Sequence, residues 1–194
     1  MARYCHTLGD LGISVSTGPI VDFRLRDSLR VDRTPESVQL IYAHHFDHGK
    51  VVHPKLDAKK PNWIESNSNT KKWMMPRGTY VLVSRLSSKE ERRRIVPAFL
   101  DESSVICNEI GIDNHLNFFH SSKRGLDPLL ARGLALYLAS TFADQWLRRF
   151  SGHTQVNAGD LRLMRYPDLA TLRTWGSKVG SELPTQEKID AIVG

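Results

Sequence analysis

The chain has 194 residues, 40% of them hydrophobic and 25% charged, with a formal net charge of +6 and an isoelectric point near 9.5. These proportions are typical of a soluble globular protein, and no apolar run has the length of a membrane span or the position of a signal peptide. Two isolated cysteines exclude a disulfide framework and favour the cytoplasm. The net positive charge makes a polyanion the first binding partner to consider, although many soluble proteins are equally basic.

The first elements predicted are two strands joined by a turn. Ile13 and Val15 alternate with serines, Gly18-Pro19 forms the turn, and apolar residues resume from Ile20 to Phe23. A short apolar run from Val38 to Tyr42 then predicts a buried strand.

The histidine-rich segment from His44 to His48 includes Asp47 and raises the alternative of a metal site or a metal-dependent nuclease. His44 and His48 would share a face only in a helix, and Gly49 argues against a helix. No other histidine or cysteine pair has the spacing of a zinc finger. A solvated hairpin turn is favoured, and no metal ligand or catalytic residue is assigned.

From Pro54 to Lys72 the chain is rich in lysine and asparagine and has little to bury except Trp63 and Ile64. Lysines mixed with amides and an aromatic ring are what contacts with phosphates and base edges would use. A plain flexible loop explains the composition almost equally well. The candidate DNA-binding residues here are Lys59, Lys60, Asn62, Lys71 and Lys72.

The clearest strand prediction runs from Tyr80 to Arg85, after a turn at Arg77-Gly78. Residues 92–99 are predicted to return as an edge strand that contains Pro97, and a short capped helix beginning at Ser88 is the alternative. The basic residues beside this hairpin form a candidate phosphate clamp, although a charged hairpin tip is often merely solvated. The candidate DNA-binding residues here are Arg77, Arg85, Ser87, Ser88, Lys89, Arg92, Arg93 and Arg94.

Residues 126–150 are predicted to form one long buried helix. Asp127 is a good N-cap, Pro128 suits the first helical position, and apolar residues recur at steps of three and four until Gly152 ends the pattern. A loop of small, polar and amide side chains follows. Its residues are candidates for base contact, for contact with the DNA backbone, or for a purely structural role. They are His153, Thr154, Gln155 and Asn157.

Shorter elements complete the prediction. Residues 105–107 and 116–119 form a strand pair around Gly111, residues 161–167 form a strand, and residues 168–175 and 185–193 form helices. The predicted class is α+β, with a mixed or antiparallel sheet region and hairpins over 1–125, and a long buried helix with short C-terminal helices over 126–194. We expect one domain.

Motifs for self-sufficient catalysis are missing from the sequence. It has no glycine-rich phosphate loop, no dinucleotide-binding fingerprint and no recognisable nucleophile motif. Alone, the chain is poorly equipped as an enzyme.

Eight segments in order carry a family resemblance, the strongest being Phe150 to Arg162. The others are Leu8 to Gly18, Val21 to Arg24, Lys60 to Asn62, Gly78 to Val83, Arg85 to Val96, Asn114 to His120 and Tyr166-Pro167. Together they resemble the C-terminal target-recognition region of adenine-specific DNA methyltransferases from bacterial restriction–modification systems. This is the group with a TaqI-like specificity domain, similar in fold to the recognition domains of type I specificity subunits.

Members of this family carry an upstream catalytic domain, with a Phe-x-Gly-x-Gly-type turn for S-adenosylmethionine and an Asn-Pro-Pro-Tyr/Phe-type motif. This sequence contains neither motif. The resemblance therefore implies the specificity half of such an enzyme. It would bind double-stranded DNA, hold no cofactor, and depend on a catalytic domain in cis into which the target adenine is extruded. The alternative is a stand-alone specificity subunit that docks on a separate methyltransferase.

Overall fold

Two sheets and a group of helices make up the structure, a computed structural model that describes residues 4–57, 59–87, 90–149, 151–152 and 154–194. The strands are β1 Ser14–Thr17, β2 Leu29–Arg30, β3 Ser37–Ile41, β4 Phe46–Asp47, β5 Lys50–Val51, β6 Trp63–Glu65, β7 Met75–Pro76, β8 Tyr80–Ser84, β9 Pro97–Leu100, β10 Glu109–Ile112 and β11 Leu116–His120. The helices are α1 Pro128–Leu138, α2 Thr141–Arg148, α3 Ala158–Leu163, α4 Leu169–Gly176 and α5 Gln186–Val193. The predicted α+β class is confirmed.

The larger sheet is the middle layer of the molecule. It has six strands in the order β1-β11-β8-β9-β5-β4, and all neighbours are antiparallel except β5 and β9. All five residues of β8 are buried, which explains its continuous apolar sequence. Because side chains alternate along a strand, Val81 and Val83 pack against the helices, whereas Tyr80 and Leu82 pack against the second sheet.

The second sheet has five strands in the order β2-β6-β3-β10-β7, with only β3 and β10 parallel. Strand β3 is buried along its whole length, as predicted for the apolar run that ends at Tyr42. The strand predicted over residues 116–119 is confirmed as β11, but residues 105–107 form no strand. The predicted pairing around Gly111 is wrong, because Gly111 lies inside β10 while β11 belongs to the larger sheet. A Cβ added at Gly111 would lie 3.0 Å from Leu40 Cδ1, so a larger residue would require the neighbouring side chains to shift. The turn Asp113–His115 therefore connects the two sheets.

The single long helix predicted over residues 126–150 is instead two helices. The N-cap prediction is confirmed, since Asp127 Oδ1 accepts a hydrogen bond from the backbone N–H of Leu130 at 3.0 Å. The break comes at Ser140, whose backbone is extended and whose Oγ accepts from the Ala143 N–H at 3.1 Å. A buried serine thus caps α2, while the apolar periodicity continues through the break and hides it in the sequence.

The strand predicted over residues 161–167 is wrong, because α3 covers Ala158–Leu163. Asn157 caps α3, and its backbone N–H donates to Asp160 Oδ2 at 3.0 Å, which completes a reciprocal capping box. This local cap outweighs the alternating pattern that follows it. The two C-terminal helix predictions are confirmed by α4, capped by Asp168, and by α5.

The strand that returns after β8 begins at Pro97, because residues 92–94 form bends and coil. The predicted edge position is also wrong, since β9 pairs with β8 on one side and contacts β5 through Lys50 and Phe99 on the other. Pro97 is tolerated because it is the first residue of its strand.

Two more segments differ from their predictions. Ile20 forms only an isolated bridge with Asp113, and Asp22–Arg24 is a 3₁₀ turn where a strand was expected. The lysine-rich segment between residues 54 and 72 contains strand β6 as well as loop. None of the helices in the described ranges is long and apolar enough to cross a membrane.

Candidate functional site

The polar loop after α2 is joined to the end of β8. We call residues 154–157 the amide loop. Leu86 and Gln155 form an antiparallel bridge, and the Val156 N–H donates to Arg85 O at 2.9 Å. The buried Asn117 of β11 donates from Nδ2 to Val156 O at 2.8 Å. These backbone contacts hold the loop as a short extension of the larger sheet, on a rigid support.

The guanidinium of Arg85 ties this loop to the turn between the two sheets. Its Nη1 donates to Asn114 O at 2.7 Å, and its Nη2 donates to Gln155 Oε1 at 3.2 Å and to Asn157 Oδ1 at 3.4 Å. The planar fork of arginine suits this arrangement of acceptors on two segments. Arg85, half-buried, therefore acts as a structural link, and the phosphate role predicted for it is not what its contacts favour.

The two amide side chains of the loop, Asn157 and Gln155, differ in how many of their polar atoms are already hydrogen-bonded within the protein. Asn157 caps α3, so its side chain is engaged in local structure. Arg85 is a donor, so the atom of the Gln155 amide that it contacts is the oxygen, Oε1. The amide nitrogen, Nε2, therefore points away from Arg85. Within the described part of the chain, Gln155 Nε2 makes no hydrogen bond, and the side chain is half-buried. It can therefore donate to an external acceptor.

The turn on the other side of Arg85 contains an aspartate–histidine pair. Asp113 is buried, and its Oδ2 accepts from the backbone N–H of His115 at 3.0 Å and from the ring Nδ1 at 2.9 Å. Burial raises the pKa of the Asp113 carboxyl above its ordinary value, against the opposing effect of these hydrogen bonds. The Arg85 N–H donates to His115 O at 2.8 Å.

A lysine–aspartate ion pair lies beside the same turn. Lys60 Nζ is 2.9 Å from Asp22 Oδ2 and 4.5 Å from the centroid of the Tyr42 ring. Burial acts to raise the pKa of Asp22, but the hydrogen bond and charge of Lys60 outweigh it and hold the pKa below its usual value. The Asn114 N–H donates to Ile20 O at 2.8 Å, which places the Asp22 segment against the turn.

The other sequence candidates differ widely in accessibility. The exposed ones are Lys59, Lys60, Lys71, Lys72, Arg77, Arg92 and Thr154, and the half-buried ones are Arg85, Arg93, Gln155 and Asn157. Asn62, Ser87 and Arg94 are buried. Ser88, Lys89 and His153 lie outside the described residues.

Burial removes three candidates from the accessible surface. Asn62 Oδ1 bonds to the ring of His45, and Ser87 Oγ donates to Arg93 O at 3.3 Å. Arg94 is only 1% exposed, and its backbone N–H donates to Asp144 Oδ1 at 2.6 Å. A side chain shielded in this way cannot approach a phosphate or a base edge, so these residues are dropped from the candidate surface.

The phosphate clamp predicted at the hairpin has fewer accessible arginines than expected, because Arg94 is buried and Arg85 is bound within the protein. Arg93 donates from Nη2 to Thr141 Oγ1 at 2.9 Å, which ties it to α2. Arg92 is the exposed arginine that remains among residues 92–94.

The structure also separates some candidates from Arg85. The Arg77 N–H bonds to Asn108 O just before β10 begins, whereas the Asp113–His115 turn follows the end of that strand. Lys71 lines a cleft with Asn108 and Glu109 at the start of β10, and Lys72 follows it in the same 3₁₀ turn. These cations therefore lie apart from the Arg85 contacts.

The histidine-rich segment forms the predicted hairpin turn, with His48 and Gly49 between β4 and β5. His45 is nevertheless fully buried, where solvation was expected. Its Nδ1 accepts from the Tyr42 N–H at 3.0 Å, so Nε2 carries the proton and donates to Asn62 Oδ1 at 2.9 Å. Across the described ranges, no group of three histidine, cysteine or acidic residues has a metal-binding arrangement.

Sequence reasoning did not select Asp113 or His115 as site residues. A single histidine two positions after an aspartate does not by itself predict a functional site. The pair becomes a candidate only because the structure places it beside Arg85. The one available signal was that Asn114 to His120 belongs to the segments of family resemblance.

No protein-family model matches the chain. The type II methyltransferase M.PstI of Providencia stuartii is 43% identical to it over 187 residues, which cover 96% of this chain and 37% of M.PstI. The type II methyltransferase M.BsuBI of Bacillus subtilis is 46% identical over 174 residues, which cover 88% of this chain and 34% of M.BsuBI. The chain thus spans about a third of the length of these relatives. Over nearly all of its own length, it is related to a segment of type II methyltransferases.

Proposed function

We propose that residues 1–194 are the target-recognition domain of an adenine-specific DNA methyltransferase of a restriction–modification system. In this proposal the chain reads the sequence of double-stranded DNA, and a catalytic domain outside it transfers the methyl group from S-adenosylmethionine. The observation that carries the proposal is the match to M.PstI, which includes 96% of this chain but only 37% of the methyltransferase. The adenine specificity rests on the family resemblance.

The catalytic domain is proposed to be joined in cis. In both relatives the matching segment is part of a polypeptide about three times as long, which favours this arrangement over a separate subunit. The sequence lacks both the glycine-containing cofactor turn and the Asn-Pro-Pro motif. Among the described residues, those lining the cleft beside β1, which include Ser16, His120 and Arg162, contain no carboxylate of the kind that holds a ribose. The described lining of this cleft therefore does not fit the cofactor, and no step of methyl transfer is assigned to it.

The geometry of the amide loop supports a role in reading bases. Arg85 fixes the Gln155 amide oxygen and leaves its Nε2 as a donor on a loop anchored to the larger sheet. In the major groove, N7 of adenine and both N7 and O6 of guanine are acceptors for such a donor. Thr154 is exposed on the same loop and has a hydroxyl that can donate or accept.

Exposed cations on the same protein supply the proposed contacts with phosphates. Each such contact releases counterions, so binding should weaken steeply as the salt concentration rises. The proposed set is Lys59, Lys60, Lys71, Lys72, Arg77 and Arg92.

Selection from a randomised library of duplex DNA tests the proposal. We expect the chain to enrich a defined sequence motif and to bind it more tightly than unrelated DNA at the same salt concentration. The variant Gln155→Ala should lose preference at one base-pair position of that motif. Failure of the unmodified chain to enrich any motif would contradict the proposed function.

A binding measurement with S-adenosylmethionine separates a recognition domain from a complete enzyme. We expect no binding of the cofactor to this chain, because the motifs that hold it in the resembling enzymes are missing. Saturable binding would instead favour a catalytic role. Incubation of labelled duplex with Mg²⁺, with and without chelator, tests the alternative of a metal-dependent nuclease, and we expect no cleavage in either case.

A further inference from the structure

The turn between β10 and β11 holds a histidine in a fixed orientation. One oxygen of the buried Asp113 carboxylate accepts from both the backbone N–H and the ring Nδ1 of His115. The backbone contact fixes the turn, and the ring contact fixes the imidazole relative to it. An exposed histidine would otherwise populate several rotamers, so this arrangement presents the ring in one direction.

The hydrogen bond to Asp113 also decides which ring nitrogen carries the proton. Because Nδ1 donates to the carboxylate, Nε2 of the neutral ring is an acceptor. The His115 side chain is 42% exposed, and its Nε2 makes no hydrogen bond to any described residue. The pair therefore offers one hydrogen-bond acceptor to the solvent, supported by a carboxylate behind it.

The turn is packed firmly on both sides. Arg85 donates to His115 O through its backbone and to Asn114 O through its guanidinium. On the opposite side, Gly18 approaches so closely that an added Cβ would lie 2.1 Å from Asp113 O. The chain therefore needs glycine at this crossing, and the turn has little room to shift.

His115 and Gln155 flank the same arginine. Arg85 contacts the His115 backbone at 2.8 Å and the Gln155 side chain at 3.2 Å. Gln155 has a spare donor and His115 a spare acceptor, and both groups belong to segments held by Arg85. This is the complementarity needed for an adenine, whose major-groove edge has an acceptor and a donor, or for two adjacent base pairs.

We propose that His115 is a second base-reading residue, whose Nε2 accepts a hydrogen bond from the exocyclic amine of adenine or cytosine. Asp113 is the positioning residue that sets the tautomer and the direction of the ring. This inference rests on the proposed function, because it assigns a specificity-determining role within the same recognition surface. Neither residue takes part in phosphate binding.

Two substitutions of His115 separate the outward nitrogen from the inward one. In His115→Asn the amide nitrogen can replace Nδ1 and keep the hydrogen bond to Asp113, but no atom takes the place of Nε2. In His115→Gln the longer side chain carries its amide to the position of Nε2, and its oxygen can accept. The pair therefore tests the acceptor itself, with similar polarity in both variants.

The experiment repeats the selection from randomised duplex DNA with the full chain and both variants. We expect His115→Asn to lose about ten-fold preference at one adenine or cytosine position, as for the loss of one base contact. His115→Gln should retain part of that preference. Gln155→Ala should affect a different contact, and the unfolding midpoint of His115→Asn should stay close to that of the unmodified chain.

The possible failures are distinguishable. If the unmodified chain selects a motif and His115→Asn selects it with unchanged preference at every position, the inference about His115 is overturned and the proposed function stands. A uniform loss of affinity for all sequences would also overturn it, because a phosphate or structural role predicts that result. If His115→Asn does not fold, the His115→Gln variant alone decides. A folded His115→Gln that keeps none of the preference at the adenine or cytosine position would contradict the acceptor role. If the unmodified chain selects nothing, the proposed function itself fails.

Discussion

Arg85 Nη2 donates a hydrogen bond to Gln155 Oε1 at 3.2 Å, joining residues that are 70 positions apart in the sequence. The contact orients the Gln155 amide and links the end of β8 to the loop before α3. Arg85, which the sequence predicted as a phosphate contact, is therefore a structural support for the Gln155 side chain, for which we propose base contact. Charge and composition alone do not distinguish these two roles.

Replacement of Arg85 should therefore affect stability as well as recognition. In Arg85→Ala the half-buried acceptors on Asn114, Gln155 and Asn157 lose their donor, and we expect a loss of about 1–3 kcal/mol in the free energy of unfolding. Urea denaturation measures this loss. The matched control is Arg92→Ala, an exposed arginine whose removal should change stability by less than about 0.5 kcal/mol. Equal stability of the two variants would contradict the structural role of Arg85.

Arg92 should contribute to DNA affinity without contributing to sequence preference. We expect Arg92→Ala to reduce the slope of log K against log salt by about 1 while leaving the selected motif unchanged. Arg173 of α4 serves as the control, because its ion pair with Asp127 lies in the helical layer and its replacement should not alter the slope. Fluorescence anisotropy at several salt concentrations gives both slopes. A change of motif in Arg92→Ala would argue against a phosphate contact.

The packing of α1 on α4 should not tolerate a methyl group at the crossing. A Cβ at Gly133 would lie 1.8 Å from Leu172 O, and one at Gly176 would lie 1.8 Å from Leu129 O. We expect Gly133→Ala to destabilise the chain by about 1–3 kcal/mol or more, because the backbones would have to separate. Gly159→Ala is the control, since nothing lies within 4 Å of its added Cβ and it is in a helix, where alanine is favoured. Thermal unfolding of the two variants should show a lower midpoint only for Gly133→Ala.

Stability should fall in mildly acidic solution because of a buried histidine. Burial lowers the pKa of His45 to about 3, whereas an unfolded histidine has a pKa of about 6.5. Below about pH 6.5 the unfolded state binds the proton first, so stability is complete at higher pH and is lost as the pH falls. From pH 7 to pH 5 this residue alone should cost about 2 kcal/mol.

Urea denaturation of the unmodified chain and of His45→Gln at both pH values checks this expectation. The variant lacks the titrating group, so its stability should fall less between pH 7 and pH 5, whatever its stability at pH 7. An identical fall in both proteins would show that His45 is not responsible. The lowered pKa of His53, also caused chiefly by burial, acts in the same direction in both proteins.

Several elements were predictable from the sequence because the forces that define them act over a few residues. The apolar run of β8 and the Asp127 cap of α1 are local patterns, and each element begins where its pattern predicted. The same local interpretation failed at Ser140, where the apolar periodicity continues through the cap, and at Asn157, where an alternating pattern follows the cap. The cap begins a new helix at each of these places.

Composition determined the basic charge of this chain, and residue patterns determined its α+β class and the absence of a glycine-rich phosphate loop, a dinucleotide-binding fingerprint and a nucleophile motif. Tertiary structure decided which of its polar residues are accessible. The Arg94 backbone bonds to Asp144, which is 50 positions away, and this burial cannot be read from the neighbours of Arg94. Likewise, the orientation of His115 depends on a buried carboxylate, and its link to the amide loop depends on Arg85, which follows β8. Burial and hydrogen-bond partners depend on residues distant in sequence, so only the folded chain reveals them.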